Sequence, residues 1–486
     1  MTSQTADPTR GRRRRGGRLL PRRNAMLGGT TTARDVATAL WYLMSPGAIV
    51  AGPAVESYEH SFAAKVGVRH AISFAAGRVG LYGILRCLDI GPGDEVLVPV
   101  PTHVVVANAV RYTGARPVYV DCDLSNYCID LEQAEERLTS RTRALLVQHT
   151  FGIPVDMEKA RALADGYGVH LIEDCVHALG STFSGRQVGT FGRAAVFSTE
   201  ETKTVSTTMG GMVATDDDQL ASQLYAFQRQ CRPPAAYEAA RYLLKLVIYH
   251  ALTEPSAHVL SRAAYEFGGR HYPLPRPTQA AELRGERPAG FIKRLSNGQA
   301  AVGVTQLAAL DANLGHRHRI AQHYRGILAP RGFRLPEPPL AARPAYVRYP
   351  VWVDDRPTVQ RAIGSRAVLG TWFTSVLEEA VDPGNCGYVP GTCPRAEEAA
   401  RHLVNLPTHP RVTMRDAEEI AARVISAGQR QVPAGAATRP QAAYRYSASP
   451  TARQSSSGAW RITGLRSRAA VPGRPGPGPG SAPSAE

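Results

Sequence analysis

From His70 to Gly180, short apolar runs alternate with helix-length amphipathic ones at nearly even spacing. "HAISFAAG" reads as a strand entering a glycine turn, and "RVGLYGILRCL" as the helix after it. "GDEVLVPV", "RPVYVDCD", "RALLVQHTFG" and "VHLIEDCVHALG" repeat the strand signal. "THVVVANAVRYTG", "DLEQAEERLT" and "DMEKARALADGYG" repeat the helix signal between them. Strands apolar on both faces and joined through helices predict a mostly parallel α/β sheet covered by helices on both sides. Such sheets bind ligands beyond the carboxyl ends of their strands. Those ends are therefore where chemistry is sought.

The flanking regions have a different texture. The first 25 residues, centred on "GRRRRGG", hold eight arginines against one acid. Residues 430–486, ending "VPGRPGPGPGSAPSAE", again hold eight against one. Together the two ends account for nearly all of the formal net charge of +16, and residues 26–429 are close to neutral. The charge thus describes a basic arm and a Pro/Gly/Arg-rich tail, and argues against a body built to bind nucleic acid. Both ends read as segments without enough apolar surface to fold. Residues 26–290 are expected to form a large domain, with an atypical insert at 231–291. In that insert a helix over about Tyr237–Leu252 carries the apolar run "YLLKLVIYHAL" before a proline-rich stretch. The helix reads as a buried or subunit-interface element, with contact to a membrane surface as the alternative. Residues 291–429 predict a long helix and a smaller α+β domain. The seven cysteines form no CxxC pair and no zinc spacing, as expected of reduced thiols in the cytoplasm. The N-terminus lacks the apolar core of a secretory signal. No run reaches the roughly 18 apolar residues that span a bilayer.

Four features gather around "FSTEETKTVSTTMGGMV", residues 197–213, which holds a single lysine, Lys203. A lone loop lysine is ordinarily just solvated. Asp174 ends an apolar strand, where a carboxylate is costly without a partner. It could cap the next helix, or pair with a protonated ring nitrogen. Gly77 and Arg78 open a helix directly after a strand, an arrangement that favours phosphate, although many such turns bind nothing. His103 follows another strand end, where a histidine is commonly structural. Ser198 could donate to a phosphate or simply sit in a turn. Taken together they match what pyridoxal phosphate requires: a lysine to hold it, an acid at its ring nitrogen, a flat group on its face, and donors about its phosphate.

From about Gly52 to about Val424 the chain resembles the DegT/StrS nucleotide-sugar aminotransferases, pyridoxal-phosphate enzymes of fold type I, the aspartate aminotransferase class. The resemblance is carried in order by "GVRHAISFAAGRVGL", "LDIGPGDEVLVPVPTHVVVANAV", "YTGARPVYVDCD", "HTFGIPVDME", "LIEDCVHALGSTFSGRQVGTFGRAAVFSTEETK", "GGMVATDD", "QAAVGVTQLAALD" and "NLPTHP". It implies that Lys203 holds the cofactor covalently and shuttles the substrate proton. It implies that Asp174 pairs with the pyridine nitrogen, that His177 stands near the ring hydroxyl where the family has glutamine, and that His103 stacks on the ring. Ser198, Gly77 and Arg78 fall at the phosphate positions.

Three departures stand out. Ala76-Gly77-Arg78 replaces a Ser-Gly-Thr type of turn. Thr199-Glu200-Glu201-Thr202 replaces an aromatic, proline-containing stretch. Ile292 stands where a partner-subunit asparagine reaches the phosphate, with Lys293 as its substitute. The implied activity is transfer of an amino group from glutamate or glutamine to a nucleotide-linked keto-sugar, by a homodimer with shared active sites, in amino-sugar synthesis for polysaccharide, glycolipid or antibiotic. A keto-cyclitol substrate, or a binding protein that has lost catalysis, are the alternatives. No metal site is expected.

Overall fold

A computed structural model describes residues 22–26, 29–256, 277–370 and 372–428. Nearly all of the basic arm, the C-terminal tail and the proline-rich half of the insert lie outside the described residues.

The body is organised on a seven-stranded sheet. Its strands are β1 (His70–Phe74), β2 (Glu95–Pro99), β3 (Arg116–Val120), β4 (Thr142–Gln148), β5 (His170–Asp174), β6 (Ala194–Ser198) and β7 (Gly211–Thr215). They lie in the order β1-β7-β6-β5-β4-β2-β3. The pairs from β3 through β6 are parallel; β7 runs antiparallel to both β6 and β1. The strand-helix alternation thus produces the expected mostly parallel α/β architecture. Strands β2 and β7 are buried at every residue, because helices cover both faces. Only β7 departs from the parallel rhythm. It returns directly from the Lys203 loop, with no helix between to reverse its direction.

Register decides which residues share an edge. Phe74 pairs with Gly211 and Gly211 with Ser198, while Asp174 pairs with Gln148 and Val196. The ends of β1, β5 and β6 therefore lie on one side of the sheet, and the turns that follow them crowd together. Gly211 permits the closest of these approaches: a Cβ there would overlap the backbone nitrogen of Gly77.

Past the sheet, β8 (Arg348–Trp352) pairs antiparallel with β9 (Leu403–Pro407). This ribbon shares an apolar core with the helices Leu310–Leu328 and Met414–Gly428, through Ile320, Tyr324, Val351, Leu406 and Ile420. The insert helix forms over Ala236–Leu252. Its buried Ala239, Leu243 and Leu246 pack with Ala39 of the helix Ala33–Leu43 and Val302 of the helix Asn297–Ala308. That face is used inside the protein, while Tyr237 and Leu244 remain exposed. Among the described residues no helix is long and apolar enough to cross a membrane.

Candidate active site

Lys203, Asp174, His177, His103, Ser198, Gly77 and Arg78 all line one cavity of about 270 Å³ at the carboxyl edge of the sheet, whereas Ile292 and Lys293 lie outside its wall. Asp174, Ser198 and the Gly77 turn arrive there through the strand register, His103 from the segment after β2, and Lys203 from the loop between β6 and β7.

Asp174 is 1% exposed. Its Oδ1 accepts from the Val176 amide at 3.1 Å, while its buried Oδ2 has no partner among the described residues. Burial pushes its carboxyl up to about 6, against the opposing pull of the Val176 amide, Lys203 and His149. An unpaired carboxylate oxygen inside a folded protein is costly unless something donates to it. A ring N–H is the donor this position can accommodate.

Lys203 is itself buried. Desolvation brings its ammonium down to about 8; Glu200 and Asp174 favour the charge and Arg348 opposes it. Its Nζ lies 3.9 Å from the centre of the Trp372 ring, a cation–π contact. A shielded lysine with so low a pKa is a substantial nucleophile near neutrality.

His177 stacks on Trp372 with ring centres 4.1 Å apart and planes 21° from parallel. Its Nδ1 accepts from the Phe151 amide at 3.3 Å. Burial, together with the cations Lys203 and Arg348, holds its pKa well below the usual histidine value. The ring is therefore neutral, with its proton on Nε2. His103 is held at both ring nitrogens. Its Nδ1 caps the helix Val104–Arg111 by accepting from Val105, and its Nε2 lies 3.2 Å from Glu379.

The phosphate candidates divide. The helix Gly77–Cys87 starts after Ala76, whose side chain cannot cap it, so its first N–H groups are available to an anion. Ser198 Oγ accepts from the Glu200 amide at 3.4 Å and keeps its own proton to donate. Arg78 is differently occupied: its Nε lies 2.7 Å from the fully buried Glu282, and it donates to the Pro277 carbonyl at 2.6 Å. Lys293 likewise pairs with Glu238 at 2.9 Å.

The acidic pair before the lysine also divides. Glu200 lines the cavity and accepts from the Thr202 amide at 3.0 Å. Glu201 turns back to Lys245 of the insert helix at 2.7 Å, with both side chains buried. The insert helix also holds the far end of the same loop, where Thr208 donates to the Tyr242 carbonyl at 3.2 Å.

Sequence reasoning missed Trp372, Arg348, Gln148 and Glu379, all in the cavity wall. Three of them come from the C-terminal region, far along the chain from Lys203. Only Gln148, at the end of a strand, carried a positional signal.

These features fit pyridoxal phosphate: an orphaned carboxylate oxygen for its ring nitrogen, a buried low-pKa lysine, a neutral His177, and an uncapped helix start for its phosphate. Residues 31–425 match the DegT/DnrJ/EryC1/StrS aminotransferase family model. The chain is 30% identical over 376 residues to GDP-perosamine synthase of Caulobacter vibrioides, across 76% of this chain and 89% of that protein. Its fold matches that of DesV from S. venezuelae with a TM-score of 0.63 and 30% identity, covering 81% of this chain and 94% of that one. An aminotransferase from Psychrobacter cryohalolentis shares the fold at a TM-score of 0.64 and 24% identity, over 82% and 96% of the two chains. The chain belongs to the DegT/DnrJ/EryC1/StrS aminotransferase family, and is an aminotransferase whose cofactor is pyridoxal 5'-phosphate.

Proposed function

We propose that this enzyme transfers an amino group from an amino acid, glutamate or glutamine, to a keto-sugar carried on a nucleotide. The observation that carries the reading is the burial, in one cavity, of Lys203 and of an Asp174 oxygen without a partner. The sugar and nucleotide follow from the kinship with GDP-perosamine synthase.

Pyridoxal phosphate, when bound, supplies the carbonyl that takes up nitrogen and a ring that withdraws electrons from the carbon being deprotonated. Asp174 Oδ2 would accept the ring N–H and keep that nitrogen charged. Lys203 Nζ would hold the cofactor covalently and, as a free amine, would carry the proton at the donor's α-carbon. His177 Nε2 would be the donor for the ring hydroxyl, and His103 the residue for a ring face. Ser198 Oγ and the amides opening the helix at Gly77 would receive the phosphate. Arg78 supports them from its ion pair with Glu282. The protein acts as a homodimer in the cytoplasm, the second subunit completing each site. Incubation with nucleoside-diphosphate keto-sugars and either glutamate or glutamine tests the activity. Amino-sugar formation with none of a broad panel would overturn the substrate class.

A further inference from the structure

Arg348 is a buried cation that nothing described so far employs. It is 6% exposed on β8, and its Nη1 has no hydrogen-bond partner among the described residues. A buried guanidinium without acceptors is expensive, and most are paired. The protein also reserves space for it: a Cβ at Gly370 would overlap Nη1. The guanidinium carbon lies 3.7 Å from the centre of the same Trp372 ring that Lys203 Nζ approaches at 3.9 Å. Both cations line the same cavity. Glu200 and Glu378 favour the charge on Arg348 from a distance without ion-pairing with it.

An anion held by Arg348 would therefore sit beside the atom on which Lys203 acts. The cofactor phosphate is not that anion, because its donors lie at the Gly77 turn. The diphosphate of a sugar nucleotide is attached at the anomeric carbon, several bonds from a ring ketone. An α-amino acid carries its carboxylate on the reacting carbon itself. We propose that Arg348 anchors the α-carboxylate of the amino donor through the planar fork that suits carboxylates. Trp372 holds the fork in place through its ring, 3.7 Å from the guanidinium carbon, and Gly370 gives it room. The enzyme thereby selects an α-amino acid over a simple amine. This inference rests on the aminotransferase reading above and adds the donor subsite to it.

The test uses the cofactor-loaded protein and its Arg348→Met variant. The visible cofactor band reports that the variant is folded and loaded. Arg348→Lys serves as a second variant that keeps the charge but loses the fork. Calorimetric titration with 2-oxoglutarate, which has no amine and cannot react with this form, measures binding alone. Single-turnover bleaching of the band compares L-glutamate with L-isoglutamine, whose α-carboxylate is replaced by an amide. The Met variant should bind 2-oxoglutarate about ten- to a hundredfold more weakly, and should lose the wild-type preference for glutamate over isoglutamine. The Lys variant should fall between. Unchanged 2-oxoglutarate binding, or a preference that persists in Arg348→Met, overturns the anchor. A wild-type protein that takes up no cofactor would instead overturn the aminotransferase reading beneath it.

Discussion

Asp174 and Lys203 face one cavity from opposite origins, the acid from the end of β5 and the amine from the loop after β6, and each shifts the other's ionisation toward the charged form. Burial works against both charges and wins in each, leaving a carboxyl near 6 and an ammonium near 8. Two groups poised this way form a site prepared for a cationic ring nitrogen and a carbonyl.

Asp174→Asn separates stability from function. In the cofactor-free protein the Asp174 carboxyl keeps its proton up to about 6, whereas an unfolded aspartate releases it near 4. Between those values the folded state binds more protons, so stability falls as pH rises through the window. The Asn variant should lack this loss. At pH 7 it should be more stable than the cofactor-free wild type by up to about 3 kcal/mol, while holding the cofactor far more weakly. Urea melts at pH 4 and pH 7, with and without pyridoxal phosphate, measure both effects.

Capture of the cofactor should depend on pH through Lys203. Its amine is half deprotonated at about 8, so the rate of covalent capture should rise through that pH and level off above it. An ordinary lysine would continue to gain up to about 10.4. Stopped-flow absorbance across pH 6 to 10.5 distinguishes the two profiles. The Glu200→Gln variant removes the largest influence favouring the charge, and should move the midpoint down.

Breaking the Glu201–Lys245 pair should cost more than replacing it. Lys245→Met leaves the Glu201 carboxyl, which burial already pushes up to about 8, without its partner, with an expected loss of about 1–3 kcal/mol. The double change Glu201→Leu with Lys245→Met should recover most of that in chemical denaturation. If the single variant is as stable as wild type, the insert helix does not hold the Lys203 loop through this pair.

Gly211→Ala should displace the Gly77 turn, since its methyl group would overlap the Gly77 nitrogen. The expected result is at least a tenfold loss of pyridoxal-phosphate affinity, with the visible band retained at saturating cofactor. Equilibrium dialysis provides the comparison.

The parts of the site legible in the sequence are those that the sheet positions. Asp174, Ser198 and Gly77 follow short apolar strands, and strand register alone brings such ends together. The resemblance then marked Lys203 among loop residues whose composition says nothing of burial. Trp372 and Arg348 reach the cavity through long-range packing of the C-terminal ribbon, and no local periodicity encodes that approach. Arg78 shows the converse. Its position predicted a phosphate ligand, but Glu282 from the insert claims the guanidinium, a partner 204 residues away. Glu200 and Glu201, adjacent in sequence, both border the cavity, but only Glu201 finds a buried partner there, Lys245 of the insert helix.

The most direct test of the account is to load the purified protein with pyridoxal phosphate, reduce it with borohydride, and locate the label by peptide mass analysis. A visible band is expected before reduction, and a single pyridoxyl adduct on Lys203 after it, absent from Lys203→Ala. A protein that stays colourless with excess cofactor, or an adduct on any other lysine in place of Lys203, would contradict it.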